Sequence, residues 1–151
     1  MSSRTELLKT CIAIENTISE IYDFFAGKFP QEQAFWKGMA SEEKIHARQF
    51  VVASSLKGPK ALPSSNELSK KVLESVWKTK KEVLENTGLS LEDAFSIAVS
   101  LEESTVESFL QRMTAEETDI ELKRFFEALI IEGTHHAKLL KKRFSGISQD
   151  H

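Results

Sequence analysis

Cysteine, proline and glycine are all scarce in this chain of 151 residues, which has one, three and six of them respectively. The lone Cys11 excludes a disulfide framework and a Cys-x-x-Cys iron or zinc knuckle, and reads as a small apolar side chain in a core. Most of the Gly and Pro fall in two short stretches, Gly27 to Pro30 and Gly58 to Pro63, with Gly88 and Gly146 near segment ends. That spacing punctuates helices and lacks the dense turn signals of an all-β chain. An excess of positive charge is also missing: 20 Lys and Arg against 23 Asp and Glu give a net charge of −3. No basic field is strong enough to neutralise a row of phosphates, so a nucleic-acid partner is not expected. No apolar run approaches the roughly 20 residues of a spanning helix, and Met1 to Thr10 carries no apolar targeting core. The expectation is a cytoplasmic protein with no membrane partner. At 40% hydrophobic residues, the chain suits one domain over 1–151 that buries its own core.

What is present is helical periodicity, with apolar residues at three- and four-residue steps in five segments. The first runs from about Thr5 to Ala26, with Leu8, Cys11, Ile12, Ile18, Tyr22 and Phe25 on one stripe, and Phe29-Pro30 ends it. The second runs from about Gln31 to Leu56 and turns Phe35, Trp36, Met39, Phe50 and Ala53 inward. After a linker from Gly58 to Ser65, a third helix extends through about Asn86 on a narrower stripe of Leu68, Val72, Val76, Val83 and Leu84. Trp77 on that helix is expected to pack within the chain, although a second subunit, and hence a homodimer, stays open. Ser90 with Asp93 three residues later resembles a capping box opening the fourth helix, about Leu91 to Met113. The fifth begins between Ala115 and Asp119 and ends near Phe144.

The two ends of the chain repeat one another. Phe35-Trp36-Lys37-Gly38-Met39-Ala40-Ser41-Glu42-Glu43-Lys44-Ile45-His46-Ala47 is answered ninety positions on by Phe125-Phe126-Glu127-Ala128-Leu129-Ile130-Ile131-Glu132-Gly133-Thr134-His135-His136-Ala137. Glu15 with Tyr22 seven later is answered by Glu102 with Phe109 seven later. Two copies of a helix hairpin, about 5–56 and 91–144, joined by a crossover holding a helix at about 66–86, describe an all-α four-helix bundle with one long connection.

Carboxylates on apolar stripes mark where chemistry can sit, because a buried ionised group is costly unless it is paired or bound to a cation. Glu15 shares a stripe with Cys11, Ile18 and Tyr22; Glu102 shares one with Phe95, Ala98 and Phe109. Glu43 and His46 form an i, i+3 pair beside Trp36, Met39 and Phe50. On the last helix Glu132 pairs with His136 at four-residue spacing or with His135 at three. His136 is the favoured choice, since Phe125, Leu129, Glu132, His136 and Leu140 make an unbroken stripe. One inward Glu is usually structural, but four Glu and two His placed symmetrically by a repeat point to a metal. Oxygen and imidazole donors without thiolates suit iron or manganese, and a Glu from each of two helices plus a Glu/His pair from each of the others describes a carboxylate-bridged dinuclear site.

These halves resemble the ferritin-like superfamily, most closely its rubrerythrin-type branch. The phrase Phe35-Trp36-x-x-Met39-Ala40-x-Glu42-Glu43-x-x-His46-Ala47 is similar to that branch's second-helix signature, and Glu15 with Tyr22 is similar to its first. The resemblance covers nearly the whole chain except the middle helix. It implies that Glu15 and His46 ligate one metal, that Glu102 and His136 (alternatively His135) ligate the other, and that Glu43 and Glu132 bridge. It also implies two iron ions reacting with peroxide or dioxygen, in an oxidoreductase of peroxidase or ferroxidase type. Three departures accompany it. Gly133 occupies the position that answers Glu43; Thr105 stands one turn after Glu102, where rubrerythrins proper carry a further Glu; and no rubredoxin-like cysteine tail is present, so reduction requires a separate electron donor. Gly133 also supports one alternative, a bundle with a lost or altered centre acting as a binding or assembly module; iron handling without redox turnover is the other.

Overall fold

A computed structural model describes residues 3–57, 66–105, 110–116 and 120–149, and among them helices and short turns occur but no strand. The Gly58 to Ser65 linker and the expected core position Phe109 lie outside the described residues. Helix α1 spans Ser3–Lys28, α2 Gln33–Lys57, α3 Asn66–Glu85, α4 Leu91–Thr105, α5 Gln111–Glu116 and α6 Ile120–Gln149. Helix α4 and the start of α5 fall within the span expected for the fourth helix, and residues 106–109 between them lie outside the described ones.

Local chemistry sets these ends. Pro30 starts a 3-10 turn, Pro30–Glu32, and Phe29 before it adopts φ −120° and ψ 79°, outside the α region that a following proline disfavours. The α4 capping box is reciprocal: Asp93 N–H donates to Ser90 Oγ at 3.0 Å, and Ser90 N–H donates to Asp93 Oδ2 at 3.1 Å. Between α3 and α4, Gly88 N–H donates to the Asn86 side chain at 3.1 Å, an Asx turn that reverses the chain.

Helix α1 packs along α2 and α3, and α4 packs along α6. Ser19 ties the first hairpin together by donating from Oγ to the Ala40 carbonyl at 2.9 Å. The core holds two aromatic layers. In one, Trp36 lies 4.9 Å from Phe25, 4.9 Å from Phe95 and 5.7 Å from Tyr22, centroid to centroid. In the other, Phe50 lies 5.5 Å from Phe125 and 6.4 Å from Phe126. Each fully buried aromatic contributes on the order of 2 kcal/mol by leaving water. Their placement matters as much, because Trp36 and Phe50 stand seven residues before and after Glu43, about 10 Å along α2 in either direction. The carboxylates thus sit in a polar layer closed above and below by apolar ones.

On α3 the inward face comprises Ser69, Val72, Leu73, Val76 and Val83. Two expectations there are corrected: Leu84 is exposed, and Trp77 is 53% exposed instead of packing within the chain. A helix turns about 100° per residue, so admitting Leu73 and Val76 to the interface rotates Trp77 and Leu84 out of it.

Candidate metal centre

Four helices each bring one or two groups to the polar layer: Glu15 from α1, Glu43 and His46 from α2, Glu102 from α4 and His136 from α6, all buried. They fall into two groups that share a member. Ligand atoms of Glu15, Glu43 and His46 lie within 4.8 Å of one another, and so do those of Glu43, Glu102 and His136. Nδ1 of His46 is 3.4 Å from Glu43 Oε2 and 3.7 Å from Glu15 Oε2. Nδ1 of His136 is 3.8 Å from both Glu43 Oε1 and Glu102 Oε1. The two imidazoles lie nearly parallel, 5.9 Å apart and inclined by 19°.

Several inward atoms lack any hydrogen-bond partner: Glu15 Oε2, Glu43 Oε1 and His136 Nδ1. Buried polar atoms are almost always satisfied, so three unsatisfied ligand atoms spread over the two groups that share Glu43 fit bound cations. Oxygen and imidazole donors match a hard to borderline divalent ion such as iron or manganese.

The electrostatics record the same crowding. Burial pushes the Glu43 carboxyl well above the usual carboxylate range, and the negative charges of Glu102 and Glu15 push it further. Burial also opposes ionisation of Glu102. Favourable interactions with His136 and Glu43 and the hydrogen bond from Tyr22 outweigh that and hold Glu102 below its ordinary value. Burial disfavours charge on His46, yet Glu15 and Glu132 push its pKa up to about 9. His136 is likewise raised, its desolvation outweighed by Glu102 and Glu42. Without a cation, the layer favours a neutral Glu43 and protonated histidines beside an ionised Glu102.

The remaining expected residues stand elsewhere. Glu132 joins neither group; its side chain is 51% exposed and Oε2 approaches His46 Nε2 at 2.5 Å. The ninety-residue repeat shows why, since 132 − 42 = 90 pairs Glu132 with the outward Glu42, while Gly133 takes the place of the inward Glu43. Helix α6 runs through Gly133 as unbroken α-helix, so nothing rotates Glu132 inward. His135 is exposed and His136 buried. Thr105 is buried but donates its hydroxyl to the Leu101 carbonyl at 2.8 Å within its own helix. Tyr22, which belongs to the core stripe, also reaches the site by donating to Glu102 Oε1 at 2.8 Å. Glu42 was not singled out by its own stripe, which points outward; its repeat relation to Glu132 is the signal that finds it.

Two repeated hairpins enclosing a buried layer of glutamates and histidines define a ferritin-like helical bundle with a candidate metal centre. The chain belongs to the rubrerythrin family, whose model (Rubrerythrin) matches residues 6–144. No curated protein and no solved structure matches the chain. Among the described residues no helix is long and apolar enough to cross a membrane.

Proposed function

We propose that this chain is a dinuclear metal protein, with iron as the metal, that reacts with peroxide or dioxygen as an oxidoreductase. The observation that carries this is the set of unpartnered buried ligand atoms on Glu15, Glu43 and His136, spread over two donor groups that share Glu43. Glu15 and His46 would hold one ion, Glu102 and His136 the other, and Glu43, common to both groups, would bridge them. Bound there, the ions supply electron exchange with the oxidant, with manganese as the alternative metal.

The chain's own residues perform four tasks. Glu43, His46 and His136 surrender protons as a cation enters, because each must be deprotonated to ligate. Tyr22 holds Glu102 in place through its 2.8 Å hydrogen bond and keeps a hydroxyl proton at the edge of the site. Burial and the charge of Glu102 raise the Tyr22 pKa well above its ordinary value, so the phenol stays protonated. The Trp36 and Phe50 layers exclude water on either side, which strengthens every charge interaction between them. Electrons come from a separate donor, and the oxidant is a small molecule.

Protein purified from iron-supplemented cells should carry about two iron ions per chain. It should absorb in the near ultraviolet and, once reduced, consume hydrogen peroxide. Protein that retains neither iron nor manganese, and binds neither on anaerobic titration, overturns the reading. The Gly133 gap in the repeated donor set favours a second reading, iron handling without turnover or a module with an altered centre. Iron uptake without consumption of peroxide or dioxygen would support it.

A further inference from the structure

Each buried histidine spends its outer ring nitrogen on the opposite hairpin. Nε2 of His46, on α2, lies 2.5 Å from Oε2 of Glu132 on α6, and Nε2 of His136, on α6, meets Oε2 of Glu42 on α2. The exchange is reciprocal and follows the ninety-residue repeat at both members, since 132 − 42 = 90 and 136 − 46 = 90. Both glutamates are 51% exposed while both imidazoles are almost fully covered, so the carboxylates reach in from the rim.

A neutral imidazole has one N–H and one lone pair. An Nε2–H held by a carboxylate leaves the lone pair on Nδ1, the atom of both rings that faces Glu15, Glu43 and Glu102. Such restraint is needed here because a cavity of about 510 Å³, lined by Glu42, Ile45, Ile131, Glu132 and the two rings, opens between α2 and α6.

We propose that Glu42 and Glu132 are paired positioning residues, each fixing the histidine of the other hairpin as its Nε2–H tautomer so that Nδ1 is presented to the metal. This rests on the reading of the layer as a metal site. Glu132 then acts through His46 and is not itself a bridging ligand, and Glu42 is its symmetric counterpart. Carboxylates that hold metal-bound histidines in this way typically change affinity by 10–100-fold.

The test uses the full chain, stripped by chelator, as wild type and as Glu42→Ala, Glu132→Ala, Glu42→Gln and Glu132→Gln. Each is titrated with Co(II) followed by absorption, and the Zn(II)-loaded forms are examined by imidazole ¹⁵N–¹H spectroscopy. Both Ala variants should bind as many ions as wild type but about 10–100-fold more weakly. The Gln variants should recover part of that loss, because an amide oxygen still accepts from Nε2–H. The spectra should show a crossed pattern, with Glu42→Ala speeding exchange of the His136 Nε2–H alone and Glu132→Ala that of His46 alone. A Glu132→Ala protein that loses a whole ion per chain, while Glu42→Ala loses none, makes Glu132 a ligand and overturns the proposal. Wild-type affinity in both Ala variants overturns it as well. A wild-type chain that binds no ion removes the metal-site reading itself, an outcome distinct from either.

Discussion

The Tyr22 hydroxyl on α1 donates to Oε1 of Glu102 on α4 across 2.8 Å, joining the two sequence repeats through a core aromatic and a buried carboxylate. Both residues are almost completely covered, so this bond operates where water cannot substitute for it. It is also one of the interactions that hold Glu102 ionised against burial.

Tyr22→Phe should therefore destabilise the metal-free protein by about 1–3 kcal/mol, the usual range when a buried charged group loses a partner. Urea unfolding of wild type and variant measures this. Because Tyr22 belongs to neither donor group, metal content should persist, and a variant that unfolds like wild type would show that the hydroxyl contributes nothing.

Glu43→Gln separates stability from binding. Burial and two like-charged neighbours oppose ionisation of Glu43, so a neutral isostere should leave the metal-free Tm unchanged or raise it by a few degrees. Glu43 belongs to both donor groups, so the same change should remove most bound metal. Full metal occupancy in the variant, measured by elemental analysis, would contradict a shared role.

His136→Ala should cut metal content sharply, and His135→Ala should leave most of it. His136 Nδ1 faces Glu43 and Glu102 from a buried position, whereas His135 is exposed. Equal losses from both would require a helix register different from that of α6.

Metal-free stability should fall as pH rises from 6.5 to about 9. The His46 pKa is raised in the folded state from 6.5 to about 9, so its contribution is fully present below 6.5 and is lost as the pH climbs through 9. The raised carboxyl of Glu43 acts in the same direction. Glu102, which is lowered, contributes above its unfolded pKa and loses that contribution only in acid. Thermal melts in chelator across this window measure the trend, and a flat or rising Tm would refute it. Metal affinity should increase over the same window, because ligation displaces these protons.

Periodicity alone made the helices and most of the buried polar layer legible. Cys11, Ile18, Tyr22 and Phe25 fix the inward face of α1, and Glu15 lies on it; the same argument places Glu43 and His46 between Trp36 and Phe50. The capping box at Ser90 and the stop at Phe29-Pro30 were readable because they depend on neighbours in sequence. The repeat was readable too, but grouping Glu132 with His136 on one stripe drew Glu132 inward. Aligning it with Glu42 separates the two.

A sequence specifies relative directions on one helix, because each residue advances the direction by about 100°. It thereby determined that Glu42 and Glu43 diverge, that His135 and His136 diverge, and that Glu15 and Glu102 occupy equivalent places in the two hairpins. How far each helix is rotated about its axis, and how widely α2 and α6 stand apart, depends on packing among all the helices at once. Only the tertiary structure decided that Trp77 faces outward, and that Glu42 and Glu132 each reach across a cavity to the other hairpin's histidine. Those contacts join residues 86 or more positions apart, a separation over which helical periodicity carries no directional information.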